Sequence, residues 1–161
     1  MPPRPHPNTY WVNEHLLAGP YPKNVPTLLD AGITYFVNLT EAQEPLSPYA
    51  HQLDPDQYQR IPIQDFSIPT PETMRTILNA LDEAIQTGQH AYVHCWGGRG
   101  RTGTVVGCYL VRHGMTGQEA LAKVQALYST TQKSQRADKD ESPETPEQRT
   151  YILNWKQHDR P

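Results

Sequence analysis

Residues 90–113 read HAYVHCWGGRGRTGTVVGCYLVRH, and the fold turns on this stretch. His90 to His94 form a short apolar run with β-branched and aromatic character, the mark of a buried strand. The chain then passes through Cys95-Trp96-Gly97-Gly98-Arg99-Gly100-Arg101-Thr102-Gly103. From Thr104 to His113 it is apolar almost all round, which a helix tolerates only when it is buried on every side. Strand, tight glycine loop and buried helix make one βα unit of a largely parallel sheet.

Working outward, Tyr10, Trp11 and Val12 open the fold, and Leu16, Leu17 and Ala18 end at Gly19-Pro20. A short helix is expected over Thr27 to Asp30, a buried strand over Ile33 to Leu39 and another strand over Gln57 to Ile63. Asp65 to Pro69 carries a carboxylate and a proline and reads as a loop. Thr70 caps a helix with Pro71 at its first position and an apolar stripe of Ile77, Leu78, Leu81 and Ile85 that runs to Gly88. Capping boxes at Thr116/Glu119 and Thr145/Gln148 open two further helices, through about Tyr128 and about Gln157. Between them, Ser129 to Glu144 is a long polar loop, a length that in a compact domain goes with function or mobility. Its ions, Lys133, Arg136, Lys139, Asp138, Asp140 and Glu141, read as solvated. The expected architecture is a single α/β domain over residues 10–161, with a central, mostly parallel sheet of four to five strands flanked by helices. Residues 1–9, Pro-rich and polar, are expected to form a flexible arm.

The chain has 161 residues, 36% of them hydrophobic, enough for one core and too few for a two-domain enzyme. Sixteen prolines are about twice the usual share of about 5% and imply stiff loops. Fourteen Lys and Arg stand against 17 Asp and Glu, a formal charge of −3 that argues against a nucleic-acid partner. The apolar run Val105 to Val111 is far short of the roughly 20 residues of a membrane span. Arg4 is followed by no apolar stretch of the kind a secretory signal needs. A cytoplasmic monomer is the expectation, with Cys95 and Cys108 as thiols and Cys108 in the core. His6, His15, His51, His90, His113 and His158 are scattered without ligand spacing, so neither a metal nor another cofactor is expected.

The glycine loop carries the chemistry. Gly97, Gly98 and Gly100 let successive N–H groups turn inward and make a nest for an anion at the positive end of the following helix. Such a nest suits phosphate. A thiol in that field loses its proton readily, its pKa falling from about 8.5 towards about 3.5 to 7.5, so Cys95 is expected to act as a nucleophilic thiolate. Arg101, six residues on, can grip two phosphoryl oxygens bidentately.

The string His-Cys-x-x-Gly-x-x-Arg-Thr-Gly over His94 to Gly103 resembles the cysteine-dependent protein tyrosine phosphatase superfamily, in its small dual-specificity branch. The resemblance runs from about Tyr10 to Trp155, with its specific motifs at 65–69, 94–103 and 142–148. It implies phosphomonoester hydrolysis through a cysteinyl phosphate, without a metal. Asp65 in Asp-x-x-x-Pro resembles the acid that protonates the leaving group and then serves as base. Thr102 takes the place of the hydroxyl that assists thiolate departure, and His94 that of the residue orienting the loop. Gln148 resembles a glutamine presented to the hydrolytic water, and is equally a capping-box residue. Glu41, in Asn38-Leu39-Thr40-Glu41 where a strand ends, is a candidate pocket wall. Trp96, Gly97, Gly98, Arg99 and Gly100 line the expected phosphate site, with Trp96 either a flat apolar wall or packed under a neighbouring loop. The expected partner is a phosphorylated protein or peptide, with phosphotyrosine favoured over phosphoserine and phosphothreonine; inositol phosphates or phosphoinositides are the alternative, and phosphate or other oxyanions are expected to occupy the loop.

Overall fold

A computed structural model of the chain describes residues 2–159. Five strands form one sheet in the order β1-β2-β5-β3-β4, where β1 is Tyr10–Asn13, β2 Leu16–Gly19, β3 Tyr35–Asn38, β4 Tyr58–Arg60 and β5 Ala91–His94. Only β1 runs antiparallel, to β2; β2, β5, β3 and β4 are parallel. The α/β architecture expected from the sequence is therefore present, with β5 in the middle.

Side chains of alternate residues go to opposite faces of the sheet. Leu16, Ala18, Val37, Ala91 and Val93 join one core with α2 (Pro71–Gln86), α3 (Arg101–Arg112), α4 (Gly117–Tyr128) and α5 (Pro146–His158). Leu17, Phe36 and Tyr92 point the other way, into a smaller cluster with Val25 and Leu28 of α1 (Val25–Asp30) and with Tyr49. The α2 stripe is buried at Met74, Ile77, Leu78 and Leu81, each worth about 1.5–3 kcal/mol of apolar transfer. Eleven of the 12 residues of α3 are buried, as its continuous apolar run requires. At Gly107 a Cβ would collide with Ile152, so glycine lets α5 close on α3.

Several boundaries differ from the sequence expectation. The strand at 57–63 is ladder-paired only over Tyr58–Arg60, because it is an edge strand that Pro62 interrupts; Ile61 and Ile63 still donate N–H bonds to Asn38 O and Leu39 O. Helix α3 starts at Arg101, three residues before its apolar run. The segment 129–144 is not structureless: it holds two 3-10 turns, Lys133–Gln135 and Ala137–Lys139. The N-terminal arm is not loose either. Arg4 Nη1 donates to Thr130 O at 3.0 Å, Gln132 N to Pro7 O at 3.1 Å and Lys133 N to Asn8 Oδ1 at 2.7 Å. Arm and long loop thus satisfy each other's backbone groups, which neither could do alone.

Candidate active site

Strand β5 delivers His94 and Cys95 to the carboxyl edge of the parallel strands, the edge where open α/β sheets bind ligands. The chain then curls through residues 96–100 and enters α3 at Arg101. Gly98 has φ +74°, and a Cβ there would lie 2.5 Å from the Gly19 carbonyl carbon, so β2 and the loop meet at a point only glycine allows. Gly98 N donates to Cys95 Sγ at 3.3 Å, and Tyr21 N to Trp96 O at 2.9 Å. Gly100, the N-cap of α3, has no side chain to cap the helix, and the positive end of α3 lies next to the loop.

His94 is buried and stacks on Tyr92. Its Nδ1 lies 3.0 Å from the Cys95 carbonyl oxygen, an acceptor, so Nδ1 carries the proton. Nε2 is then an acceptor and the Tyr49 hydroxyl donates to it. Burial, reinforced by the charges of Arg60 and Arg101, lowers the imidazole pKa to about 3 against the pull of the Cys95 carbonyl. His94 is thus a neutral strut that fixes the direction of the Cys95 peptide.

Arg101 is almost fully buried, with its side chain 1% exposed. Its Nη1 and Nη2 donate to the two carboxylate oxygens of Glu44 at 2.8 and 2.9 Å, and Nη1 donates also to Ile63 O at 3.0 Å. Asp65 Oδ1 stands 3.3 Å from Nη2. Burial alone pushes the Glu44 carboxyl pKa up, but the bonds from Arg101 and from Glu41 N outweigh it and hold Glu44 below its ordinary value. Arg101 Nε is buried with no hydrogen-bond partner. Sequence reasoning missed Glu44 and offered Glu41. The two share one turn, in which Glu41 N donates to Glu44 Oε2 at 2.6 Å; the backbone of Glu41 and the carboxylate of Glu44 are what reach the site.

Asp65 lies on the 65–69 loop beside Phe66, which adopts φ +62° and donates its N–H to Asp65 Oδ1 at 3.0 Å. Gln148 completes the capping box of α5, its Oε1 accepting from Glu144 N and Thr145 N, and its Nε2 donates to Ser67 O at 3.2 Å, tying α5 to the 65–69 loop. Thr102 Oγ1 is buried and points at Gly19 O, 3.5 Å away, rather than bonding to the sulfur. Trp96 is 44% exposed, so it stands free beside Cys95 instead of packing under a loop.

The cleft over Cys95, about 210 Å³, is walled by Asp65 and Phe66, by Trp96 and Arg99, and by Lys133, Lys139 and Glu144 of the long loop. Arg99 Nη1 donates to Glu144 Oε2 at 2.9 Å and Nε to Glu141 O at 2.6 Å, while Ser142 Oγ donates to Arg99 O at 2.6 Å. Lys133 Nζ donates to Gly97 O at 3.1 Å. The long loop's lysines are therefore not both solvated, as the sequence suggested; the loop folds onto the cysteine loop and carries them into the cleft. Among the described residues no group of three or more His, Cys, Asp or Glu is placed to hold a metal, and no helix is long and apolar enough to cross a membrane.

A thiol at the end of a central parallel strand, bonded by the Gly98 amide of a glycine loop and close to a buried arginine, is the arrangement of the cysteine-dependent phosphatases. Residues 7–152 match the family model described as PTP-SAK, a Swiss Army Knife protein, DSP-PTPase phosphatase domain, and the chain belongs to that family, within the small dual-specificity branch of the superfamily. It is 35% identical over 108 residues to putative tyrosine phosphatase 067L of Invertebrate iridescent virus 3, covering 63% of this chain and 45% of that one. It is 33% identical over 124 residues to phosphatidylglycerophosphate phosphatase PTPMT2 of Arabidopsis thaliana, covering 72% and 53%. The chain spans about half the length of these curated relatives. Tk-PTP in its active form shares the fold with a TM-score of 0.75 at 24% identity, over 94% of this chain and 97% of that one. PTPMT1 in complex with PI(5)P does so with 0.73 at 20% identity, over 94% and 96%.

Proposed function

We propose that this domain hydrolyses phosphate monoesters in two steps, with Cys95 as nucleophile. The Sγ thiolate attacks phosphorus; an S–P bond forms, the P–O ester bond breaks, and the departing oxygen takes a proton from Asp65. Water then attacks the cysteinyl phosphate, the S–P bond breaks, and Asp65 takes the proton of that water. Loop amides and Arg101 hold the phosphoryl oxygens throughout. The orphaned Nε of Arg101 carries the reading: a buried guanidinium nitrogen without an acceptor, on a side chain whose other nitrogens are held by Glu44 and Ile63 O, suits a phosphoryl oxygen. Trp96, Gly97, Gly98, Arg99 and Gly100 would then border the bound phosphate. His94 orients the loop, Thr102 comes within reach of the sulfur only if its hydroxyl turns from Gly19 O, and Gln148 acts through the acid loop.

For the leaving group, exposed Trp96 and Phe66 favour an aromatic ester, hence phosphotyrosine in a protein, with phosphoserine and phosphothreonine open to the same shallow cleft. A second reading, phosphoinositides or inositol phosphates, is favoured by Lys133 and Lys139 in the cleft and by the phosphatidylinositol trisphosphate named for another Arabidopsis thaliana relative, PTEN1, 31% identical over 108 residues. The test is a panel of p-nitrophenyl phosphate, phosphotyrosine and phosphothreonine peptides and a soluble phosphoinositide, run with wild type, Cys95→Ser and Asp65→Asn. Cys95→Ser should bind phosphate without turnover, and Asp65→Asn should lose about 10²- to 10⁴-fold in kcat on alkyl esters. Full activity in Cys95→Ser would exclude thiolate chemistry.

A further inference from the structure

The charges around the cleft pair off unevenly. Glu144 is engaged by Arg99, Asp65 and Glu44 by Arg101, and Glu141 by Arg149. Asp138 pairs with Arg136. Among the described residues no carboxylate comes within ion-pair distance of the ammonium of Lys133 or Lys139, although both line the cleft with Cys95. Lys133 is held there from both ends. Its backbone N donates to Asn8 Oδ1 at 2.7 Å, and its Nζ reaches the rim of the cysteine loop at Gly97 O, the space a Gly97 side chain would need. Burial, with Lys139 and Arg99 nearby, pulls its pKa below the ordinary lysine value despite the opposing charges of Cys95 and of Glu144, whose carboxylate is already bound to Arg99. A half-buried ammonium with one carbonyl acceptor has donors to spare, and a second unpaired lysine beside it raises the cost of leaving the pair without an anion.

We propose that Lys133 and Lys139 form a second anion subsite, which decides between the two substrate readings above in favour of a phosphate monoester of a short polyol bearing another phosphoryl group. This rests on the phosphomonoesterase reading above and adds the group that selects among its substrates. The scissile phosphate sits in the cysteine loop; the other, a monoester or a diester, lies against the long loop and shares its oxygens between the two ammonium groups. A phosphotyrosine side chain alone would leave both lysines unanswered.

The test compares glycerol 1,3-bisphosphate with glycerol 1-phosphate, presents the same spacing of phosphates as phosphatidylglycerol phosphate in phosphatidylcholine vesicles, and includes p-nitrophenyl phosphate and a phosphotyrosine peptide. Wild type should favour the bisphosphate over the monophosphate by roughly 10- to 100-fold in kcat/KM, the worth of one or two charge-assisted contacts, and the preference should shrink as salt rises. Lys139→Met and the Lys133→Met/Lys139→Met pair should bring that ratio towards one, mainly through KM, while Lys133→Arg should keep it. A merely structural role would lower both substrates alike and leave the ratio standing, and that result overturns the proposal. So does a wild-type ratio near one, or a peptide outpacing every polyol phosphate. Preference for the free or the vesicle form would each support the subsite and assign its source. Absence of turnover on p-nitrophenyl phosphate as well would instead sink the phosphomonoesterase reading beneath it.

Discussion

At the residue scale the site depends on what Arg101 touches. A guanidinium this deeply buried needs an anion, and Glu44 supplies one in fork-to-fork geometry. Glu44→Ala leaves that charge with Asp65 alone and should cost about 3 kcal/mol in urea unfolding, near the lower end for a broken buried pair. It should also lower kcat/KM on p-nitrophenyl phosphate, because the guanidinium loses its orientation. Glu44→Gln keeps one hydrogen-bond acceptor but not the charge and should recover only part of both; an Ala variant with unchanged stability would show that the pair holds nothing. His94 is fixed as tightly, and Tyr49→Phe removes the hydroxyl that donates to its Nε2. About 1–3 kcal/mol of stability should go with it, measured by the same denaturation, because a buried acceptor is left unmet.

The difference in legibility also begins with residues. Cys95, Arg101 and His94 could be read because they lie within eight residues, on one strand-loop-helix unit whose geometry the local pattern dictates. Glu44 is 57 positions from Arg101, in an irregular turn where Asn38 Oδ1 holds Thr40 N and Glu41 N holds Glu44. Nothing local distinguishes it from Glu41. The end of the right strand was visible, but not which of two carboxylates the turn would swing inward.

At the scale of elements, the segment 129–144 shows where pattern reading fails. Its composition is that of a solvated loop, yet it becomes one wall of the cleft because the arm before β1 supplies hydrogen-bond partners from the other end of the chain. Asn8→Ala removes the acceptor for Lys133 N and should speed amide exchange across residues 129–139, measured by hydrogen–deuterium exchange, while α3 stays protected. An unchanged exchange pattern would mean that the loop stands without the arm. The capping boxes of α4 and α5, by contrast, could be read correctly from sequence because a cap is a contact between neighbours three residues apart.

For the whole molecule, acid should destabilise the fold earlier than its carboxylates alone would. His94 is neutral when folded, with its pKa lowered from 6.5 to about 3, so only the unfolded chain takes up the proton as pH falls through that window. Stability from His94 is complete above about pH 6.5 and declines by about 1.4 kcal/mol per pH unit below it. His6, lowered by burial and by Lys23, acts in the same sense. Glu44 and Asp159, both held below their ordinary values net of burial and chiefly by arginine hydrogen bonds, add a further loss at lower pH, as the unfolded carboxylates begin to protonate. Urea midpoints that stay flat between pH 5 and 6.5 would contradict this account of the histidine.

The measurement closest to the centre is a rapid acid quench during turnover of p-nitrophenyl phosphate, followed by mass spectrometry of the Cys95 peptide. One added phosphoryl group on Cys95 in wild type, accumulating further in Asp65→Asn wherever the second step is the slower, and absent from Cys95→Ser, is the predicted result. Sustained turnover with the Cys95 peptide never phosphorylated, or turnover of equal rate in Cys95→Ser, would contradict it.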